Sequence, residues 1–473
     1  MVIAVLIAYL CVLVLVSKRM GGNDSDADFF LGNRRSPWWA VAIGMVGASV
    51  SGVSFVSVPG WVPATSFTYM QMVLGFLLGY VVVAYVLLPI YYKSGNVSIY
   101  SVLSARLGGV GRLTGAIFFL VNKLLGASVK FYVAAFVLFQ MADLQWLPYP
   151  FFVVLCLLFV YLYTYKSGIK AVVWTDLLQT LVMVLTLVLL LRAVLAAMGM
   201  DFVEGIRFVR ESSYSQIFQW EDWSSRNYFW KQFVSGAFVV VVMTGLDQDM
   251  IQKNLSCRSL REAQRNMMSY AFIFIPVNLL FLMLGLLIAS HYGMDTLPAV
   301  GDGLLPYFVK ESGALAMVCF SVGMLASSLS SVDSAMTAMT TSFLNDVLRR
   351  EGACDASFRH KVHLGVAACV GVLVVLLDFM RNNHAIDLIY QLVSYLYGPL
   401  LGMFAFCLFH KKARLESRWV AAVALLSPIL SYWVSIKIRT AFSYEMGYEL
   451  LLLNGLLTYV GILLVSLISS RKI

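Results

Sequence analysis

Charge is scarce in this 473-residue sequence, in which Asp, Glu, Lys and Arg together make up only 12% of the residues and apolar types make up 60%. Soluble chains carry about 25% charged residues and at most about half apolar ones. The apolar residues are concentrated in runs of about 20, each long enough to cross a bilayer as a helix. These features exclude a soluble globular protein and indicate a polytopic membrane protein.

Several other features are missing. The apolar runs lack the strict alternation over about ten residues that is typical of transmembrane β-strands. None of the motifs GxxxxGK[ST], HExxH and GxSxG occurs, and the longest polar stretch, about residues 199–229, is too short for a soluble domain. The seven cysteines form no CxxC pair, and the five histidines lie at the ends of apolar runs. We therefore expect an all-α membrane protein that is not an enzyme, an ATP-driven pump or a sensor, and that holds no metal such as zinc.

The basic residues indicate the topology. Most of the 34 Lys and Arg residues fall in alternate loops, which are all cytoplasmic if the N-terminus lies outside. This rule explains the net charge of +9 without a nucleic-acid partner, and it predicts about 13 spans with a cytoplasmic C-terminus in a bacterial inner membrane. Residues 2–17 lack a basic leader and a cleavage site, so we expect a retained span there. The other predicted spans are 38–61, 68–92, 114–140, 148–165, 171–198, 230–252, 269–290, 313–347, 361–378, 385–409, 417–435 and 449–469.

The second span contains an unusual cluster of helix-breaking residues. Residues 44–60 include four serines, four glycines and Pro59. Membrane helices rarely collect such residues unless the freed backbone groups face a cavity, an ion or a substrate. Close packing of small residues explains any single glycine, but the whole cluster predicts an unwound segment.

The polar stretch after residue 198 predicts an external loop that includes a short surface helix.

A second polar cluster lies in the span from 313 to 347. The hydroxyls of Ser327, Ser330, Ser331 and Ser334 share one face of a helix. Such a stripe of oxygen ligands suits a hard cation such as sodium. The alternative is that each serine donates a hydrogen bond back to its own helix.

Acids within spans are costly and therefore informative. Asp176 is the stronger candidate for an ion ligand, with Asp333 on the serine-rich helix as the other. The only arginine within the span of Asp176 is Arg192, about 24 Å further along. We therefore expect Asp176 to require a bound cation. Asp247 and Asp249, near the inner end of the seventh span, are interpreted as gate or capping groups.

Two lysines lie on one face of the fourth span. Lys123 and Lys130 are two helical turns apart. A lysine near the membrane surface extends its ammonium toward water. Lys130 is central enough that we expect it to pair with an acid or with an anionic group of a substrate.

Taken together, these motifs resemble those of the sodium:solute symporter family, which includes sodium-coupled sugar, proline and sialic acid transporters. The resemblance rests on Asp28–Arg34, Pro59-Gly60, Gly168–Gln179, Asp247–Lys253 and the serine cluster at Ser327. It implies a leucine-transporter fold within a single transmembrane domain. Inverted five-helix repeats would then cover 38–198 and 230–409, with an extra span at 2–17 and C-terminal spans over 417–469.

The resemblance also implies three sites. A principal sodium site would take the carbonyls of Gly47, Val50 and Met324 and the hydroxyls of Ser327 and Ser328. A second sodium site would comprise Asp176, Ser327, Ser330 and Ser331. The substrate-binding candidates are Ser49, Ser51, Ser54, Tyr69, Gln71, Lys123, Lys130 and Thr244.

The predicted function is a sodium-coupled secondary active symporter that imports a small polar organic solute by alternating access. A sialic acid, another sugar acid, a sugar or a carboxylate would fit, with two sodium ions per solute and a monomer embedded in lipid. The alternatives are a sodium-coupled amino-acid importer and a transporter-like channel permeable to sodium.

Overall fold

The computed structural model describes residues 2–20, 24–141, 143–144, 146–350, 355–380, 385–410, 414–415, 418–442, 444 and 446–470. Within these residues the structure is helical, with one isolated bridge between Ser36 and Cys257. The helices are α1 Val2–Met20, α2 Asp26–Leu31, α3 Trp38–Ser49, α4 Gly52–Thr65, α5 Tyr69–Ser94, α6 Ser101–Met141, α7 Tyr149–Thr164, α8 Ile169–Ala197, α9 Phe202–Glu211, α10 Phe229–Gly245, α11 Gln248–Leu255, α12 Leu260–Tyr292, α13 Leu304–Glu311, α14 Ala314–Val347, α15 Ala356–Met380, α16 Ala385–Phe409, α17 Trp419–Phe442 and α18 Leu450–Ser470.

The membrane-spanning character of the chain follows from helix length and composition. Among the described residues, nine helices are long and apolar enough to cross a bilayer, and two further spans are helix pairs bent in the middle. The helix α7 and the Ser394–Phe409 part of α16 are apolar but shorter. The all-α polytopic fold is confirmed, and the number of thirteen spans stays a prediction.

The first bent pair is the predicted unwound segment. The axes of α3 and α4 differ by 63°. Val50 has an extended backbone (φ −79°, ψ 90°), and the Ser51 side chain accepts a hydrogen bond from the Ser54 backbone N–H at the start of α4. The interruption is shorter than predicted, because Pro59 and Gly60 lie within α4.

The second bent pair was not predicted. The axes of α10 and α11 differ by 64°, and the break falls at Leu246 and Asp247 within the predicted span 230–252. Asp247 caps α11 by accepting a hydrogen bond from the backbone N–H of Asp249 at 2.9 Å. The sequence around this break has one glycine and no proline, so it carries few of the markers that revealed the first one.

Two other predictions concern local structure. The short surface helix predicted after residue 198 is confirmed as α9, whose start is closed by reciprocal hydrogen bonds between Asp201 and Glu204. The fourth span begins earlier than predicted, because residues from 101 onward are already helical and join the rest of α6 through a kink at Gly108 (φ 64°). A positive φ of this size favours glycine.

The centre of the bundle is α14, which packs against α8, α6, α3 and α4. The helix α4 also packs against α12. In the most apolar window of α14, 72% of the residues are buried, against 22% in α17. The helices α16, α17 and α18 contact one another at one side. The two interrupted spans therefore meet α14, the most buried of the nine unbroken spans among the described residues, and this arrangement positions the candidate site.

Close approach of backbones fixes α4 against α12. A Cβ atom added at Gly285 would lie 2.6 Å from the Cα of Pro59 and would overlap the Pro59 carbonyl oxygen. Such an approach requires the absence of a side chain on α12.

We expect Gly285→Ala to lower the free energy of unfolding by about 1–3 kcal/mol, because overpacking forces the helices apart. Thermal unfolding of the detergent-solubilised protein measures this effect. Gly365→Ala is the matched control, since Gly365 lies on α15 with no atom within 4 Å of the added Cβ. Equal melting temperatures for both variants would contradict close packing at Gly285.

Candidate functional site

The site is built around the break between α3 and α4. Because α3 ends at Ser49, the carbonyls of its last turn have no partner within the helix. A Cβ atom at Gly52 would lie 2.5 Å from the Ser328 hydroxyl and 3.4 Å from the Met324 sulfur, so α14 passes close beside the break. Small residues at this point allow backbone oxygens and serine hydroxyls of two spans to approach one another.

The serines of α14 do not all behave alike. Ser327 and Ser328 donate to the carbonyl of Met324 at 3.1 and 2.6 Å, as the back-bonding alternative predicted. Ser331 donates across the interface to the carbonyl of Ala48 at 3.2 Å and also to Ser327. The structure thus clusters Met324, Ser327 and Ser328 beside the broken helix, where the resemblance placed the principal sodium site.

The other two residues of that predicted site lie on the break itself. Val50 is buried at the interruption, and Gly47 is one turn before it. The backbone N–H of Gly47 lies 3.1 Å from the Thr180 hydroxyl of α8, and a Cβ at Gly47 would overlap that hydroxyl. The coordination of sodium by these five residues stays a prediction.

Asp176 has a cationic partner, contrary to the expectation from sequence. The ammonium of Lys253 lies 2.8 Å from Oδ2 of Asp176, and both side chains are only 1% exposed. Lys253 belongs to the buried helix α11 and not to a cytoplasmic loop. The prediction failed because it considered cations along the same helix only, whereas this one comes from another span.

The residues of the predicted second sodium site are held by side-chain contacts, and the binding of sodium there stays a prediction. Ser330 donates to Oδ1 of Asp176 at 2.5 Å, and Ser334 donates to Oδ2 at 3.2 Å. Ser331 and Ser327 point instead to the Ala48 and Met324 carbonyls. The structure brings Asp176 and Ser330 together as predicted, with Lys253 as their third member.

Further ion pairs surround the second break. Lys123 lies 2.7 Å from a carboxylate oxygen of Asp249 and 3.1 Å from one of Asp247, and Tyr397 donates to Asp247. Lys253 lies 3.7 Å from the other oxygen of Asp249. The interpretation of Asp247 as a capping group is confirmed. Lys123 is consequently engaged by two acids.

Asp333, the other acid that the sequence singled out as an ion-ligand candidate, is held by hydrogen bonds. Tyr163 of α7 donates to one of its oxygens at 2.7 Å, and the backbone N–H of Ser334 donates to the other at 2.5 Å. Asp333 is fully buried on α14. The Ser334 hydroxyl lies 3.3 Å from one of its oxygens and 3.2 Å from Oδ2 of Asp176, so the two carboxylates are neighbours.

A cavity opens beside the first break. It provides about 150 Å³ for the centres of water molecules, which is room for on the order of ten waters. Seven of the eight predicted substrate-binding residues line it, namely Ser49, Ser51, Ser54, Tyr69, Lys123, Lys130 and Thr244. Lys130 is half-buried there, and no carboxylate of the described residues lies within 4 Å of its ammonium.

The eighth residue, Gln71, does not line the cavity. Its side-chain amide donates to the carbonyl of Asn227 at 2.8 Å, and its side-chain oxygen accepts from the Gln219 backbone N–H at 3.1 Å. Both ends of the fully buried side chain thus hold the loop that precedes α10. The prediction that Gln71 binds substrate is not supported by its position.

The cavity also contains residues that sequence reasoning missed. Tyr80 donates to the hydroxyl of Tyr270 at 2.8 Å, and Tyr270 lies 2.6 Å from the Ser49 hydroxyl. Asn122 and Asn278 also line the cavity. The two asparagines were detectable as amides within apolar spans, whereas tyrosines are too common in spans to single out.

Comparison with known proteins gives a consistent result. The model of the "Sodium:solute symporter family" matches residues 29–417. The sodium/sialic acid symporter NanT of Aliivibrio fischeri is 23% identical over 469 residues, which cover 96% of this chain and 92% of that protein. The sodium/sialic acid symporter SiaT of Proteus mirabilis is 22% identical, with coverage of 96% and 94%. A solved Na+-coupled sialic acid symporter in a substrate-bound, outward-open state matches at a TM-score of 0.82 and 19% identity over 100% of this chain and 98% of its own, which shows a shared fold.

We expect Gln71→Leu to loosen the external loop, because two backbone groups lose their partner at a cost of about 1–3 kcal/mol each when buried. Limited trypsin digestion at Arg226 should then proceed several-fold faster. Gln216→Leu is the control, since the Gln216 amide donates only within the exposed loop, to Phe218. Equal digestion rates for both variants would show that the loop does not depend on Gln71.

Proposed function

Because the chain belongs to the sodium:solute symporter family, we propose that the solute it imports with sodium is a small organic acid, a sialic acid or a related sugar acid. Sodium-coupled transport of a solute is the activity of that family. The proposal adds the class of solute, the residues that bind it and the residues that hold sodium.

One observation carries the coupling of ion and solute. The segment from Ser49 to Ser51 lines the cavity, and the same segment includes Val50, whose carbonyl is a proposed sodium ligand. Sodium held between this break and Met324, Ser327 and Ser328 would fix the shape of the cavity wall. Binding of either species then favours the conformation that binds the other, which is a reciprocal coupling between sites.

The charges of the cavity favour an anion. Lys130 brings an ammonium that no described carboxylate neutralises, and hydroxyls from Ser49, Ser51 and Tyr270 stand nearby in the lining. A solute with a carboxylate and several hydroxyls complements such a wall. The relatives named as sialic acid symporters support this class of solute.

The amino-acid alternative is less well supported. An amino acid also carries an ammonium, which needs an unpaired acid. The acids that line the cavity, Asp247 and Asp249, already share Lys123. The channel alternative differs in kinetics, because only a carrier exchanges labelled solute for unlabelled solute across the membrane.

The membrane arrangement belongs to the same proposal. We place the N-terminus outside and the C-terminus in the cytoplasm of a bacterial inner membrane, because basic residues favour the inner loops. The repeats over 38–198 and 230–409 each begin with a bent span, and the bends of 63° and 64° support an inverted-repeat relationship. The second span and the seventh would then move in related ways during alternating access.

We expect Ser328→Ala to raise the sodium concentration required for half-maximal uptake at least tenfold, because the variant removes one oxygen from a cation in a low-dielectric site. Uptake of labelled sialic acid into proteoliposomes at varied sodium concentration measures this. Ser321→Ala is the matched control, since Ser321 lies on the same helix with a buried hydroxyl that has no partner among the described residues. An unchanged sodium requirement in Ser328→Ala would remove Ser328 from the site.

We expect Lys130→Met to weaken binding of an anionic solute about 10–100-fold, the usual range for loss of a charged hydrogen bond. Binding of sialic acid and of its uncharged methyl ester to the purified protein should be compared. The wild type should prefer the acid, and the variant should bind both equally. A variant that loses both ligands to the same extent would show that Lys130 is structural.

A further inference from the structure

We propose that the Lys253 ammonium is a tethered cation that takes the place of a second sodium ion beside Asp176, so that one sodium ion accompanies each solute. This inference rests on the proposed function for its transport consequence. It replaces the two-ion stoichiometry that the sequence predicted, because that prediction required an Asp176 without a cationic partner.

The position of Lys253 carries the proposal. Its ammonium lies 2.8 Å from Oδ2 of Asp176, and the two form an ion pair in which both side chains are only 1% exposed. Ser330 and Ser334 donate to the two oxygens of the same carboxylate. Asp176 therefore has its charge neutralised and its oxygens engaged by side chains of α11 and α14.

The surroundings of the Lys253 side chain hold its ammonium in one position. Its side chain is 1% exposed, and α11 is short and buried along its whole length. On its other side lies Asp249, at 3.7 Å, which is held more closely by Lys123 at 2.7 Å. The ammonium is thus fixed between Asp176 of α8 and Asp249 of its own helix and cannot withdraw to water.

A sodium ion beside Asp176 would stand next to this ammonium. Two positive charges a few ångströms apart in a buried site repel strongly, and Asp249, the other carboxylate beside Lys253, is already held by Lys123. The principal site has no such neighbour, since Met324, Ser327 and Ser328 offer neutral oxygens beside uncharged backbone. Sodium binding is consequently confined to the principal site.

The consequence for transport is electrical. One sodium ion and one singly charged organic anion together carry no net charge. Uptake should then follow the sodium gradient and should not depend on the membrane potential. With two sodium ions, each cycle would move one positive charge, and 100 mV would add about 2.3 kcal/mol to the driving force, or about fifty-fold in accumulation.

Equilibrium binding of ²²Na⁺ to purified protein in lipid nanodiscs tests the site without any solute. We expect the wild type and Lys253→Arg to bind one sodium ion per chain. We expect Lys253→Ala to bind two, because the vacated space beside Asp176 is lined by its carboxylate and by Ser330. The double variant Lys253→Ala with Asp176→Asn should return to one.

Two results would overturn the proposal: two bound ions in the wild type, or a single ion in a folded, monodisperse Lys253→Ala. If Lys253→Ala does not fold, Lys253→Gln serves in its place, and the wild-type stoichiometry already decides. Absence of any bound sodium in the wild type would instead contradict the proposed function.

Transport provides a second and separate readout. Sialic acid uptake by the wild type should be unchanged when a potassium diffusion potential is imposed with valinomycin, whereas uptake by Lys253→Ala should increase. Stimulation of the wild type by an inside-negative potential would overturn the single-ion stoichiometry. Failure to take up sialic acid under any sodium gradient would reject the proposed solute and leave the ²²Na⁺ result standing.

Discussion

The helix α3 ends just before Val50 and leaves carbonyl oxygens without helical partners in the middle of an apolar bundle. Much of the central packing depends on the need to give these oxygens other partners. Water cannot satisfy such groups in a bilayer, so neighbouring spans must. Ser331 of α14 donates a hydrogen bond to the carbonyl of Ala48, and the Thr180 hydroxyl of α8 accepts one from the backbone N–H of Gly47. The close association of α3, α8 and α14 is therefore a consequence of the break as much as of apolar contact.

The second break, between α10 and α11, is stabilised in a different way. Its surroundings contain fixed charges: Asp247 caps α11, Lys123 joins Asp247 and Asp249, and Lys253 joins α11 to Asp176. Buried charges are tolerated when each has a well-placed partner. The first break is surrounded by neutral oxygens, where we propose that an exchangeable sodium ion binds, whereas side-chain ammonium groups hold the geometry of the second.

The features that could be predicted from the sequence are those with a local cause. The first break was predictable because serine, glycine and proline act on the backbone where they stand, and the serine stripe of α14 followed from helical spacing. Features that depend on contacts between distant spans were not predictable in this way. The pairing of Lys253 with Asp176, the engagement of Gln71 by the external loop and the tyrosine pair at the cavity each require knowledge of which helix faces which. The second break was missed because capping by Asp247 leaves a weaker sequence signal than a cluster of glycines.

The glycine contacts of α4 have a mechanical consequence. Gly285 of α12 fits against Pro59, and Gly60 fits against the backbone of Gly301, so the outer half of α4 is interlocked backbone to backbone on two sides. Interlocked segments of this kind slide poorly past one another and travel together as a rigid lever. The articulation of that lever falls at Val50, the extended residue at its inner end. Any swing of the lever thus changes first the spacing between the Val50 carbonyl and the serines of α14, which are the same few atoms that we propose as sodium ligands.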